Sequence, residues 1–271
     1  MKISIITINY NNIEGLQKTF SSIFSQILED FEYIVIDGGS SDGSKEIIEK
    51  NSEKISYYVS EPDGGIYNAM NKGIKAANGE YLLFINSGDE LYSEQSLELA
   101  KPHLHTDDII SGNLIFSSDN QDNLGISKPE VTFLQFYNDT IWHPCTFIKK
   151  SAFAETDYYD ENFKICSDWK WFLLAVYKYG KTYRKIDITI SRFYLDGVSS
   201  NTQNQDTIKK ERRETLEKYF FFKEQDFNTF NKLLGDQSKL RDYSNKISLI
   251  KRSRILKLLS HFGLFKLYKY L

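Results

Sequence analysis

The stretch "EPDGGIYNAMNKGIKAANGEYLLFINSGDELY", Glu61 to Tyr92, decides the fold. It opens on a Pro-Gly breaker, Glu61-Pro62-Asp63-Gly64-Gly65, of the kind that ends a strand. "IYNAMNKGIKAANG" reads as a helix closed by Gly79. "EYLLFIN" is a continuous apolar run of strand length. It stops in Asn86-Ser87-Gly88-Asp89, a small acidic turn. Such residues have an ordinary meaning, a surface loop. They have a second one in an open parallel sheet, where ligands bind outside the carboxyl ends of the strands.

The residues upstream repeat the same unit. "ISIITI" (Ile3 to Ile8) is a β-branched strand followed by a turn of Asn9, Asn11 and Asn12. Leu16, Phe20, Ile23 and Ile27 then recur at helical spacing. "EYIVID" (Glu32 to Asp37) is a strand ended by Gly38-Gly39-Ser40, and a helix follows from Asp42 to Lys50. "ISYYVS" (Ile55 to Ser60) is the third strand. Strands alternating with helices predict a mainly parallel sheet covered on both faces. The polar loops that end these strands gather at one edge, so a site there draws on all of them.

Downstream the rhythm weakens. "DIISGNLIF" is a strand, residues 117–140 carry no clear pattern, and "WHPCTFIKKSAF" is a strand entering a helix. "SDWKWFLLAVYKYG" is a helix that begins near Ser167 or Asp168 and ends at Gly180. "TYRKIDITISRFYL" is strand-like, and from about Thr202 the pattern is helical and highly charged. The expected division is an α/β domain over 1–200 and a helical C-terminal region over 201–271.

Composition bounds the function. The chain of 271 residues is 41% hydrophobic and 26% charged, as in a globular protein. A net charge of −3 argues against nucleic acid as the main partner. Two distant cysteines, Cys145 and Cys166, have no metal-site spacing and suit a reducing compartment. No run approaches the roughly 18 apolar residues that span a bilayer, and "MKISIITINY" is too short an apolar run for a signal peptide. The expectation is a cytoplasmic protein. Its last segment, "KRSRILKLLSHFGLFKLYKYL" (251–271), is basic and amphipathic, which fits contact with an anionic membrane at the inner face of the cell membrane.

Nucleotide-loop motifs narrow the field. No G-x-x-x-x-G-K-[ST] loop is present, and the first strand runs into "NYNN" rather than a G-x-G-x-x-G turn. What recurs is an acid after successive strands: Asp37, Asp63 and Asp89. Acids repel bare phosphate, but they serve a nucleotide if one takes a base N–H and another holds a divalent metal against a diphosphate.

"SIITINYN", "EYIVIDGGSSDGS", the Glu61–Tyr92 block and "DENFKICSDWKWFL", in this order, resemble the family 2 glycosyltransferases of GT-A fold. The central block resembles the bacterial branch that builds O-antigen, capsule and exopolysaccharide. The resemblance covers roughly residues 1–200. It implies a Rossmann-like sheet flanked by helices, a hexosyltransferase-type inverting activity and a metal-dependent reaction with Mn²⁺ or Mg²⁺. It also implies a nucleotide-sugar donor, a UDP-sugar by family habit, and a glycan or lipid-linked acceptor.

The resemblance also implies roles. Thr7, Asn9 and Tyr10 contact the nucleotide, and Asp37 binds the base. Asp63, Gly65 and Asn71 line the nucleotide pocket, together with Asn86 and Ser87. Asp89 is the metal contact, Asp168 the general base, and His143 lies on the acceptor side. Gly197-Val198-Ser199 closes over the diphosphate. The chain departs from the family's acidic pattern at Gly38, Asn86, Gly88 and Ser167. The gaps at Asn86, Gly88 and Ser167 keep open a non-catalytic nucleotide-sugar or glycan-binding protein; the other alternative is a nucleotidyltransferase, which has a similar doubly wound layout but usually needs a Gly-rich basic loop that "NYNNIEG" does not supply.

Overall fold

The computed structural model describes residues 3–118, 121–195 and 202–252. Gly197-Val198-Ser199 and nearly all of the basic segment 251–271 lie outside the described residues. The chain divides into two compact units, Met1–Thr215 and Leu216–Leu271.

The first unit is built on one sheet. Strands β1 (Ile3–Asn9), β2 (Phe31–Asp37), β3 (Tyr57–Ser60) and β4 (Tyr81–Phe84) alternate with helices α1 (Ile13–Phe24), α2 (Ser44–Lys50) and α3 (Ile66–Ala76). They pair in parallel in the order β3-β2-β1-β4, each joined to the next in the chain by a helix. Beyond β4 the sheet turns mixed. It incorporates β5 (Glu90–Leu91), β6 (Ile109–Ser118), β7 (Gln121–Gly125), β8 (Thr146–Lys149) and β9 (Tyr183–Tyr194). Strand β8 runs antiparallel to both β4 and β6, whereas β6 and β9 are parallel. The remaining helices are α4 (Ser96–Ala100), α5 (Phe133–Asn138), α6 (Lys150–Thr156), α7 (Ser167–Tyr177), α8 (Gln205–Phe220) and α9 (Glu224–Arg252).

Period-2 burial covers both sheet faces. Ile3, Ile5, Tyr33 and Val35 share one cluster with Leu16, Phe20 and Ile23 of α1 and Ile48 of α2. Ile6 and Ile36 lie on the other face, against α3. Contact there is so close that a Cβ on Gly73 would stand 2.4 Å from the Ile6 Cγ2. That absence of a side chain lets α3 lie flat on the sheet and fixes the height at which its first turn meets the sheet edge.

In the second unit, α9 starts with a capping contact: the Lys223 N–H donates to the Asp226 carboxylate at 2.7 Å. Phe222 packs on Phe227 and Phe230. Among the described residues no helix is long and apolar enough to cross a membrane.

Candidate active site

Register assembles the first part of the site. Asn9, Asp37 and Ser60 end β1, β2 and β3 and stand opposite one another across the parallel ladder. Side chains in one such row share a face. The fully buried Asp37 carboxylate accepts hydrogen bonds from Asn9 Nδ2 (2.7 Å), Ser60 Oγ (2.7 Å), Ser40 Oγ (2.5 Å) and the Ser40 N–H (2.9 Å). Burial alone would raise its pKa; the bonds from Ser40, Ser60 and Asn9 outweigh burial and hold it below the usual aspartate value.

Gly38 follows, where the family pattern has a second acid. A Cβ there would lie 2.8 Å from Asp63 Oδ2 and 3.1 Å from Tyr10 Cδ2. The loops after β1, β2 and β3 thus close around Gly38, with Tyr10 67% exposed above them. Asp63 accepts from the Gly65 N–H at 2.9 Å, an Asx turn that leads into α3 through Gly65 at φ +116°. Thr7 and Asn71 stand behind this rim. The Thr7 hydroxyl donates to the Ile85 carbonyl at 2.7 Å and accepts from the Tyr33 hydroxyl. The Asn71 amide holds the loop after α6 by bonds to Tyr159 and Glu161.

The turn after β4 is strapped to α1. Asn12 Nδ2 donates to the Ser87 carbonyl and the Ser87 hydroxyl to the Asn12 carbonyl, both at 3.1 Å. The Thr19 hydroxyl accepts from the Gly88 N–H and donates to the Asp89 carbonyl at 2.7 Å. Gly88 has φ +106°, a backbone that an acid at this position would adopt only with strain. Asp89 is 7% exposed. Among the described residues there is no group of three or more His, Cys, Asp or Glu side chains able to hold a metal. Hard divalent cations take six or more oxygen ligands. Asp89 is the one carboxylate of the turn Asn86-Ser87-Gly88-Asp89, so this turn alone supplies far fewer oxygens than such a cation needs.

The second part of the site comes from α7. Asp168 lies in its first turn, where helix N–H groups favour an anion. The Tyr67 hydroxyl, whose one hydrogen is shared with the Ile165 carbonyl, stands 3.0 Å from the Asp168 Oδ1, and the Asp168 Oδ2 faces His143 Nδ1 at 3.3 Å. The other ring nitrogen of His143 stands 3.2 Å from Asn86 Nδ2. Side-chain exposure is 16% for Asp168 and 19% for His143. Burial pushes the Asp168 carboxyl up, but the hydrogen bonds from His143, the Trp169 N–H and the Tyr67 hydroxyl hold it below the usual aspartate value. Burial and the Asp168 charge push Tyr67 well above the ordinary phenol value, so it stays a proton donor.

The approach to α7 is fixed from α8. The buried Glu211 carboxylate accepts from the backbone N–H groups of Lys164 (2.6 Å), Ile165 (3.2 Å) and Cys166 (2.8 Å). Ser167 Oγ accepts from the Asp160 N–H at 2.6 Å, so the residue standing where the family has a Glu serves the same loop. Side chains thus join Asn86, His143, Asp168 and Tyr67, while Asn9, Tyr10, Asp37, Asp63 and Gly65 form the rim of the parallel strands. Sequence reasoning did not single out Tyr67 or Glu211.

Comparison with known proteins agrees with this fold. Residues 4–166 match "Glycosyl transferase family 2". An uncharacterized glycosyltransferase of Mycobacterium tuberculosis is 33% identical over 178 residues, 64% of this chain and 68% of that one. A PGL/p-HBAD biosynthesis glycosyltransferase of Mycobacterium bovis is 26% identical over 205 residues, 73% of this chain and 79% of the other. Among solved structures, S. aureus TarS with UDP-GlcNAc superposes with TM-score 0.60 at 22% identity over 72% of this chain. The mannosyltransferase PcManGT of Pyrobaculum calidifontis does so with TM-score 0.56 at 14% identity over 73%. The match spans 58% of each of those two chains, and the likeness is one of fold. The chain belongs to glycosyltransferase family 2.

Proposed function

We propose that the chain transfers a sugar of the hexose type, with inversion, from a nucleotide-diphosphate donor to a hydroxyl of a glycan or lipid-linked acceptor in cell-surface polysaccharide synthesis. The observation that carries this reading is Asp168, an ionised carboxylate at a helix start, linked by side chains to the turn that follows β4. In the reaction the acceptor oxygen attacks the anomeric carbon, the bond to the diphosphate breaks on the opposite face, and Asp168 takes the acceptor proton. General-base help of this kind is typically worth about 10²–10⁴-fold. Asn9, Tyr10, Asp37, Asp63, Gly65 and Ser87 hold the nucleotide, and Thr7 and Asn71 support them from behind. Asp89 is the residue that would hold a divalent cation, Mn²⁺ or Mg²⁺. When bound, the cation offsets the charge that the leaving diphosphate gains.

UDP-GlcNAc stands in one TarS structure and GDP-Man with Mn²⁺ in PcManGT, so both nucleotide classes are the first probes. Calorimetry with UDP and with GDP, each with and without Mn²⁺, should give binding to one that strengthens with metal and weakens in Asp89→Ala. Asp168→Asn should abolish transfer at unchanged nucleotide affinity. Loss of nucleotide binding in that variant would remove Asp168 from the role of base. Residues 251–271 bring the chain to an anionic membrane. A chain ending at 250 should stop co-floating with phosphatidylglycerol vesicles and keep its nucleotide affinity; equal flotation would refute the tail's role.

A further inference from the structure

Four elements send one side chain each to the same point. β8 runs antiparallel to β4, with Leu83 opposite Phe147, so the chain entering β8 passes the chain leaving β4. That brings His143, just before β8, against Asn86, just after β4. Asp168 arrives from α7 and Tyr67 from α3. The partners decide where the protons sit. A carboxylate only accepts, so the His143 nitrogen facing Asp168 carries the hydrogen. An amide nitrogen only donates, so the nitrogen facing Asn86 keeps its lone pair.

Asn86 bears a cost in that orientation. Its Oδ1 is buried with no hydrogen-bond partner among the described residues. Leaving a buried acceptor unpaired is unfavourable, typically by about 1–3 kcal/mol. The amide tolerates this while giving its N–H to the ring. Turned over, it would present its carbonyl to His143 and call for a second ring proton.

We propose that His143 is a positioning residue: its Nδ1–H holds Asp168 in the orientation for proton abstraction, and Asn86 fixes the ring from the turn on the donor side. This rests on the reading of Asp168 as the base. With Tyr67 on Oδ1 and His143 on Oδ2, the carboxylate plane is set from both sides. With the Trp169 N–H also bonded to the carboxylate, about one of its four lone-pair sites is left for the acceptor hydroxyl. A histidine that merely filled space would need neither a particular tautomer nor a particular nitrogen.

The first test needs no substrate. The full chain has four histidines, and His143 can be assigned in ¹⁵N spectra by comparison with His143→Asn. At neutral pH its proton should sit on Nδ1, and in Asp168→Ala it should move to Nε2. A proton on Nε2 in the wild type, or a ring unchanged by Asp168→Ala, would overturn the proposal. The second test is turnover of UDP-GlcNAc and GDP-Man. His143→Ala should lower kcat about 10²-fold, the lower range of general-base effects, with donor KM within about threefold. His143→Asn places an amide N–H where Nδ1–H stood and should recover about tenfold; His143→Gln, whose amide reaches the Nε2 position, should not. Equal Asn and Gln variants, or a loss confined to KM, would also overturn it. The expected tautomer in a protein that turns over neither donor would support the link and count against the reaction assigned to it.

Discussion

Asp37 is fully buried, yet it keeps its charge because register delivers donors to it. Its pKa is depressed in the folded chain and returns to the ordinary value of about 3.9 on unfolding. The stabilisation from this ionised group is therefore complete above that value and is lost as pH falls through the lower native one. Asp37→Asn should cost about 1.5–3 kcal/mol at pH 7 in urea unfolding, the scale of hydrogen bonds to a charged group. The gap to wild type should narrow below pH about 4. A constant gap across that range would mean that shape, not charge, is what Ser40, Ser60 and Asn9 recognise. At this scale the sequence is partly readable. Asp37, Asp63 and Asp89 stand out because an acid closing an apolar run breaks a pattern. Tyr67 and Glu211 do not. One sits in a helix stripe like any core tyrosine, and the other is one more charge in "KKERRETLEK".

The elements of the parallel half were legible because each is long enough to show its own period and loops mark its ends. What stayed hidden depends on distant partners. β7 is a five-residue polar edge strand and α5 is six residues long, so residues 117–140 offered neither alternation nor a helical stripe. β8 was visible as a strand, but its insertion between β4 and β6 is a matter of non-local pairing. That insertion is what brings His143 to Asn86. The α3 packing shows the reverse case, where one residue type constrains a whole element. Gly73→Ala improves helix propensity by about 1 kcal/mol but drives a methyl group into Ile6. Overpacking of this kind typically costs about 1–3 kcal/mol. The variant should unfold at lower urea than wild type; a net gain in stability would show that α3 can lift off the sheet without loss.

At the scale of the molecule, the change of pattern near residue 200 and the end of the first compact unit at Thr215 are different places. Between them lie the first turns of α8, and Glu211 belongs to the unit that holds the site. A chain ended at 200 would leave three backbone N–H groups before Asp168 without their carboxylate. It should keep most of its sheet signal in circular dichroism and lose transfer, whereas a chain ended at 250 should keep transfer to a soluble acceptor. Equal activity of the two would show that the loop holds its form unaided. The same three bonds bear on how such enzymes diversify. In a chimera that exchanges C-terminal regions, a junction before Glu211 would remove the carboxylate that holds the loop leading to Asp168. A junction after Glu211 keeps the residue that makes all three bonds, so exchanged tails should be tolerated downstream of it and not upstream.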